Sequence, residues 1–211
     1  MVHLQLEFTG IMKPYKTIEK LLSGTPAVIV ALGDSLTYGW MVSKGYLDYF
    51  KEKLYDKFPE RKLNLINKGI PGDTARGGVH RLQGDVLCYE PDCVLIQFAL
   101  NDAFAGYSPE LFKGNMKEII NGIREGGNSE IVLVSSVCLG SERENAFIEV
   151  FYSQLEELAR CYQLPVARVH EYWKKKISEG FDFENLVQAD FVHPTSEGYR
   201  LMAEAVMEVF E

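Results

Sequence analysis

Residues 26–36 read PAVIVALGDSL, and this stretch decides the fold that we predict. Its residues 28–32 form an unbroken apolar run that is rich in β-branched side chains. Such a run is typical of a strand that is buried on both faces, as in the centre of a parallel sheet. Asp34 and Ser35 follow the run, at the edge of an open α/β sheet where ligands and catalytic groups gather. Ser35 is therefore a candidate nucleophile.

Four further apolar runs alternate with amphipathic stretches of helical spacing along the chain. We predict that these runs form strands at residues 63–66, 93–98, 131–137 and 165–169. We also predict a helix over residues 79–89 and a loop over residues 138–145 at the carboxyl edge of the sheet. The alternation predicts an α/β fold, a three-layer α/β/α sandwich around a five-stranded parallel sheet. We expect residues 1–211 to form one domain. Residues 1–25 are predicted to be a peripheral arm, with a short strand at Leu4, Leu6 and Phe8 and helical turns over 15–22.

A serine nucleophile needs a base, so the histidines are the next residues to consider. The chain has four of them, at His3, His80, His170 and His193. Only three positions separate His193 from Asp190, and in a turn this spacing brings two side chains together. An aspartate beside an imidazole fixes its tautomer and stabilises the imidazolium. Pro194 holds the histidine extended and can start the helix that follows.

Two other loops fit a site that cleaves esters. Residues 67–74 follow a predicted strand, and the glycines among them, Gly72 included, allow a close approach of the backbone. Asn101 follows the strongest predicted strand, at residues 93–98. A backbone N–H and an asparagine amide from these two loops are suited to face the oxyanion of a tetrahedral intermediate.

These stretches resemble the four sequence blocks of the SGNH (GDSL) hydrolase superfamily, in order and in spacing. The first block is the Gly-Asp-Ser-Leu of residues 33–36, and the matches extend to residue 194. The resemblance implies a flavodoxin-like strand order and a serine esterase that acts on esters or thioesters. One departure is Ala99, which stands where the third block usually has a glycine.

The resemblance also implies a role for each matching residue. Ser35 is the nucleophile of a triad completed by His193 and Asp190. The backbone N–H groups of Ser35 and Gly72 and the side-chain amide of Asn101 form the oxyanion hole. Such a site requires neither a metal nor an organic cofactor.

Other polar and aromatic residues with a candidate role lie near these motifs. Asp34 and Asp102 are expected to order loops by accepting hydrogen bonds, although Asp102 is a possible rival of Asp190 as the triad acid. Tyr38 and Trp40 either pack at the sheet edge or bind substrate, and Asp34 is a further candidate substrate-binding residue. Arg76 and Arg81 flank the Gly72 loop, and we expect both to be surface arginines.

Composition excludes several classes of protein. The net charge of −8 argues against binding to nucleic acid, which normally requires a basic surface. No apolar stretch approaches the roughly 18 residues that a membrane span requires, and the N-terminus lacks the features of a signal peptide. The four cysteines have no Cys-x-x-Cys spacing, so we expect free thiols, no zinc site and a cytoplasmic location.

The sequence thus predicts an ester hydrolase acting on a small-molecule substrate, with activity that falls at acid pH as His193 is protonated. Short edge loops favour short acyl chains and an open, polar leaving-group side, as in carbohydrate O-acetyl esters. A lysophospholipase, a thioesterase or an acyltransferase would use the same site. A non-catalytic, flavodoxin-like binding domain is an alternative of another class. The sequence contains no signal for the oligomeric state.

Overall fold

The computed structural model describes residues 12–211, and its centre is a five-stranded, entirely parallel sheet. The strands in chain order are β1 (Pro26–Gly33), β2 (Lys62–Gly69), β3 (Cys93–Gln97), β4 (Glu130–Val134) and β5 (Val166–Ala167). Their order across the sheet is β2-β1-β3-β4-β5. This is the flavodoxin-like order, so the predicted topology is confirmed.

Helices cover both faces of the sheet and complete a three-layer sandwich. They are α1 (Tyr15–Leu22), α2 (Ser35–Tyr38), α3 (Tyr46–Lys57), α4 (Ala75–Asp85), α5 (Leu100–Phe104), α6 (Pro109–Gly126), α7 (Glu142–Tyr162), α8 (Val169–Ser178), α9 (Phe183–Leu186) and α10 (Ser196–Glu208). On one face α4, α6 and α7 pack side by side, and on the other α10 packs against α3 and α8.

The core lies where the central strands meet the two helical layers. Every residue of β3 is buried, and the last five residues of β1 are buried as well. This confirms the interpretation of residues 28–32 as a central strand, although Val28 itself is half-buried. The register pairs Gly33 with both Gly69 and Gln97. The carboxyl ends of β1, β2 and β3 therefore meet at one edge of the sheet.

Helix α4 begins earlier than the helix that the sequence predicts at residues 79–89. The side chain of Thr74 accepts a hydrogen bond from the N–H of Gly77 and caps the helix at its start. The predicted helix also ends too late, because its last residues form a separate 3₁₀ turn, Leu87–Tyr89. Local capping explains the first difference, since one hydroxyl satisfies an otherwise free N–H of the first turn.

Two other predicted boundaries are also wrong. The loop predicted at 138–145 is shorter, because Ser141 and Glu144 form a capping box that starts α7. The strand predicted at 165–169 is reduced to the two residues of β5, since Val169 is already in α8.

Helix α1 packs at the amino ends of the strands, on the side of the sheet opposite to Ser35. The hydroxyl of Thr17 donates to Glu130, the first residue of β4, at 2.7 Å, and Lys20 pairs with Asp92 just before β3. Helix α1 confirms the helical turns predicted over 15–22. The strand predicted at Leu4, Leu6 and Phe8 lies outside the described residues. The division into one domain with a peripheral arm stays a prediction. Among residues 12–211, no helix combines the length and the apolar character that a membrane span requires.

Candidate active site

Ser35 lies at the turn that joins β1 to α2, and the residues around it hold this turn tightly. The Asp34 side chain accepts a hydrogen bond from the N–H of Leu36 at 2.9 Å and caps α2, as the sequence predicts. A methyl group on Gly33 would come within 2.2 Å of the Thr37 hydroxyl, so only glycine fits there. The Ser35 side chain is therefore held at the carboxyl end of the central strand.

Beneath the nucleophile lies a buried polar network. Gln97 of β3 donates to Asp34 and to Ser136, and its side-chain oxygen accepts from Thr37 at 2.8 Å. Burial raises the pKa of Asp34 to about 7, against the lowering effect of the hydrogen bonds from Leu36 and Gln97. The Asp34 carboxyl is thus buried and accepts hydrogen bonds from neighbouring residues of the protein.

His193 meets Ser35 across the mouth of the site. Its Nε2 atom lies 2.9 Å from the Ser35 Oγ, and its Nδ1 lies 2.6 Å from Asp190 Oδ2. Burial tends to raise the pKa of Asp190, but hydrogen bonds from His193 and from the N–H groups of His193 and Val192 hold that pKa below its ordinary value. A carboxylate only accepts hydrogen bonds, so Nδ1 carries the proton and Nε2 is left to accept the Ser35 hydroxyl.

A short hairpin holds the base and its acid. Val187 pairs with Pro194 across it, and the N–H of Gln188 donates to the His193 carbonyl at 2.7 Å. The Gln188 side chain also donates to the carbonyl of Trp40, which ties this hairpin to the chain just after α2. Pro194 is therefore part of the hairpin, and the prediction that it starts the next helix is wrong, since Thr195 caps α10.

The predicted oxyanion donors lie in two loops that contact each other. The N–H of Asp73 donates to the carbonyl of Ile70, and between them Pro71 and Gly72 occupy the central positions of a turn. Gly72 has φ +78°, which is the conformation that the third residue of a type II turn requires. Asn101 donates from Nδ2 to the Asp73 carbonyl at 2.9 Å. An amide nitrogen carries two hydrogens, so one is left for an oxyanion.

Two neighbours of Asn101 shape the same loop. Both oxygens of the Asp102 side chain accept from the N–H of Ala75, which confirms that Asp102 orders the loop. Burial raises the pKa of Asp102 to about 6, although the Ala75 N–H lowers it. Ala99 has φ +147°, a conformation that glycine tolerates and alanine does not. The departure of Ala99 from the family glycine therefore stores backbone strain.

The prediction for Arg81 is wrong, because this arginine is not on the surface. Its side chain is only 15% exposed and donates to two backbone carbonyls and two carboxylates at the carboxyl edge of the sheet. A signal was present in the sequence, since Asp85 follows Arg81 at the i,i+4 spacing of a helical ion pair. Arg76, by contrast, is exposed as predicted.

A cleft of about 280 Å³ opens beside Ser35, His193 and Asn101. Its wall is mostly apolar and is formed by Leu36, Leu100, Phe104 and Val192. A larger cleft of about 630 Å³ lies against α7 and α8, where the ring Nε2 of His170 pairs with the Glu149 carboxylate. The smaller cleft is therefore the one that contains a paired serine and histidine.

Tyr38 and Trp40 do not line this cleft. The ring centroids of Trp40 and His193 are 6.1 Å apart, and those of Tyr38 and Trp40 are 6.4 Å apart. The hydroxyl of Tyr199 accepts a hydrogen bond from the Trp40 N–H. The side chains of Tyr38 and Trp40 both remain exposed. The two rings thus form an aromatic surface at the mouth of the site.

A flavodoxin-like sheet with a serine, a histidine and an aspartate at its carboxyl edge is the arrangement of an α/β ester hydrolase. The chain belongs to the GDSL-like lipase/acylhydrolase family, whose model matches residues 31–201. It is a carboxylic ester hydrolase and not a non-catalytic binding domain.

Characterised relatives support this class of enzyme. The chain is 25% identical to an arylesterase of Vibrio mimicus over 184 residues, which cover 85% of this chain and 86% of the relative. It is 24% identical to thioesterase 1/protease 1/lysophospholipase L1 of Escherichia coli K12, with 83% and 79% covered. The fold matches a catalytic mutant of an acetylxylan esterase from Geobacillus stearothermophilus with a TM-score of 0.78, at 19% identity and with 87% and 94% covered.

Proposed function

We propose that Ser35, His193 and Asp190 act as a catalytic triad that cleaves acyl esters through an acyl-enzyme. Ser35 Oγ attacks the acyl carbonyl while His193 Nε2 takes its proton, and the imidazolium then protonates the departing alcohol. Water attacks the acyl-enzyme, again through His193, and releases the acid and the free serine. The single observation that carries this proposal is the continuous hydrogen-bonded series from Ser35 through His193 to Asp190, at 2.9 and 2.6 Å.

The negative charge that develops on the carbonyl oxygen needs donors that are already in place. We assign this role to the N–H groups of Ser35 and Gly72 and to the side-chain amide of Asn101. The hydrogen bond from Asn101 to the Asp73 carbonyl supports the assignment, because it fixes the amide next to the turn that contains Gly72. The Asp190 carboxylate stays outside this set and stabilises the imidazolium.

We further propose a short acyl chain and a carbohydrate O-acetyl ester as the substrate class. The apolar cleft of about 280 Å³ is small, which favours a short acyl group. The leaving group must lie near His193, where the exposed rings of Tyr38 and Trp40 offer flat faces suited to a sugar ring. The fold similarity to an acetylxylan esterase agrees with this choice. A direct contact between Asp34 and substrate stays a prediction. The Asp34 carboxyl already accepts hydrogen bonds from Leu36 and Gln97.

The experiment is hydrolysis of p-nitrophenyl esters from acetate to palmitate by the wild type, Ser35→Ala and the control Ser153→Ala. Ser153 is an exposed serine of α7 whose hydroxyl bonds to Val150 and Gln154 of the same helix. We expect Ser35→Ala to lose activity by a factor on the order of 10⁶ and the control to keep it. Equal turnover by wild type and Ser35→Ala would refute the triad.

The chain-length profile and the products then identify the substrate class. A preference for acetate, followed by activity on acetylated sugars, supports the proposal. A preference for chains of about ten carbons or more would instead support a thioesterase or lysophospholipase, as the name of the E. coli relative suggests. Ester products formed in the presence of added alcohols would make the enzyme an acyltransferase.

A cytoplasmic location is part of the proposal, and the four free cysteines support it.

A further inference from the structure

Arg81 makes contacts that reach three segments of the candidate site. Its Nη2 donates to the Gly33 carbonyl at 2.9 Å, and its Nη1 donates to the Lys68 carbonyl at 2.8 Å. Its Nε donates to the Asp73 carboxylate at 2.7 Å, and Nη1 also donates to Asp85 at 3.0 Å. One guanidinium thus joins the ends of β1 and β2 to the turn that follows β2.

These contacts lie beside the residues that we assign to the oxyanion hole. Gly33 precedes Ser35 by two positions, and Asp73 directly follows Gly72. We propose that Arg81 is a positioning residue that sets the distance between the Ser35 and Gly72 N–H groups. This inference rests on the proposed esterase function. Arg81 itself does not contact the reacting atoms.

The Gly33 carbonyl is the point where the two donor segments are held together. It accepts from the N–H of Ile70 at 3.0 Å as well as from Arg81. The Ile70 bond fixes the start of the Gly72 turn, and the Arg81–Asp73 ion pair fixes its end. Without the arginine only the start of the turn is tied to β1, so the Gly72 N–H gains freedom to shift.

Asp73 also transmits the position of Arg81 to the third donor. Its side chain bonds to Arg81, while its backbone carbonyl accepts from Asn101 Nδ2. A displacement of Asp73 therefore moves the turn with Gly72 and removes the partner that orients the Asn101 amide. Two of the three predicted oxyanion donors, the Gly72 N–H and the Asn101 amide, therefore depend on this ion pair.

The chemistry of the side chain explains why an arginine is needed. The guanidinium is planar and rigid, and it donates in several fixed directions at once, whereas a lysine ammonium is a point charge. The Arg81 and Asp73 side chains are each only 15% exposed. Water therefore screens their attraction weakly, and the pair holds one geometry.

Asp85 provides a matched comparison, because it pairs with the same arginine but is not part of the turn. It lies in α4, four residues after Arg81, and it also pairs with Lys68. Removing the Asp85 charge weakens the packing of Arg81 and leaves the link to the Gly72 turn in place. Asp73→Asn and Asp85→Asn therefore each remove the charge of one carboxylate partner of Arg81. The first partner belongs to the Gly72 turn and the second to α4.

The test compares wild type, Asp73→Asn, Asp85→Asn and Arg81→Lys on p-nitrophenyl acetate, with Ser35→Ala as the blank. Titration of each enzyme with a phosphonyl fluoride counts the sites that react at Ser35, so that kcat is expressed per functional site. This count separates a catalytic effect from a loss of folded protein. The rate of phosphonylation is a second readout, since it also places negative charge in the oxyanion hole.

We expect Asp73→Asn and Arg81→Lys to lower kcat per titrated site and the phosphonylation rate by about 10- to 100-fold, with KM nearly unchanged. Asp85→Asn should lower the urea midpoint and keep kcat per site within about threefold. If Asp73→Asn and Arg81→Lys instead match Asp85→Asn, Arg81 has only a structural role and the inference is wrong. If the wild type shows no Ser35-dependent turnover, the proposed function fails and this role of Arg81 falls with it.

Discussion

The imidazole Nε2 of His193 lies 2.9 Å from the hydroxyl of Ser35, although 158 positions separate the two residues in the chain. Two elements bring them together. Ser35 follows the central strand, and His193 lies in a hairpin that Gln188 ties to the Trp40 carbonyl. Because the base is on a loop and the nucleophile is the first residue of α2, directly after the central strand, their contact depends on how that loop packs.

Replacing Asp190 with asparagine should lower kcat by about 10³- to 10⁴-fold, because an amide no longer fixes the tautomer of His193 or stabilises its charged form. The matched control is Asp182→Asn. The Asp182 side chain also accepts a hydrogen bond from a backbone N–H, that of Glu184, but does not face the imidazole. Steady-state kinetics on p-nitrophenyl acetate will measure both. Equal activities of the two variants would show that Asp190 is not the triad acid.

Replacing Asn101 with alanine should lower kcat by about 10²- to 10³-fold with little change in KM, because the lost donor acts mainly on the transition state. Asn128→Ala, in the exposed loop between α6 and β4, is the control and should behave as the wild type. A rise in KM alone for Asn101→Ala would indicate that the amide binds the ground state and does not serve the oxyanion hole.

Widening the apolar cleft should move the chain-length preference toward longer acyl esters. Phe104→Ala removes an exposed ring from the cleft wall, and the control Phe147→Ala removes a similarly exposed ring from α7. The ratio of kcat/KM for octanoate over acetate will report the change, and it should rise several-fold in Phe104→Ala only. An unchanged ratio would place the leaving group, and not the acyl group, in this cleft.

The strain at Ala99 should be measurable by comparison with Ala103. Both alanines are buried, but only Ala99 has a positive φ, while Ala103 lies inside α5. Each change to glycine loses one methyl group and adds the same freedom to the unfolded chain, so these costs cancel. We expect Ala99→Gly to be more stable than Ala103→Gly by about 1–3 kcal/mol in urea unfolding. Equal free energies of unfolding would show that Ala99 is unstrained.

The stability of the protein should depend on pH through Asp102. Burial raises its folded pKa to about 6, so the folded state binds a proton that the unfolded chain releases. The buried charge therefore destabilises the fold above about pH 6, and stability is regained as the pH falls from about 6 to about 4.

Asp102→Asn removes that charge and keeps an acceptor for the Ala75 N–H. Relative to wild type, the variant should be stabilised more at pH 8 than at pH 4.5, and the two differences in free energy of unfolding should differ by on the order of 2 kcal/mol. Asp56→Asn, at an exposed position of α3, should show no such difference. A pH-independent difference for Asp102→Asn would mean that its carboxyl titrates alike in both states.

Sequence alone was sufficient wherever the determinants are local. The apolar run that becomes β1 and the Asp34 cap each follow from a few neighbouring residues. The Asp190–His193 pair is also local, because three positions in a turn bring the side chains together. Element boundaries were less certain, since a single cap such as Thr74 or Ser141 decides where a helix begins.

Tertiary structure decided the contacts between distant segments. The Ser35–His193 hydrogen bond, the Asn101–Asp73 bond and the cleft wall each need loops from different strands to pack at one edge. Arg81 shows the limit most clearly: a surface arginine was predicted, yet its contacts with Gly33 and Asp73 leave its side chain only 15% exposed. A charge can be buried only where the fold supplies its partners, and three-dimensional packing alone determines where those partners lie.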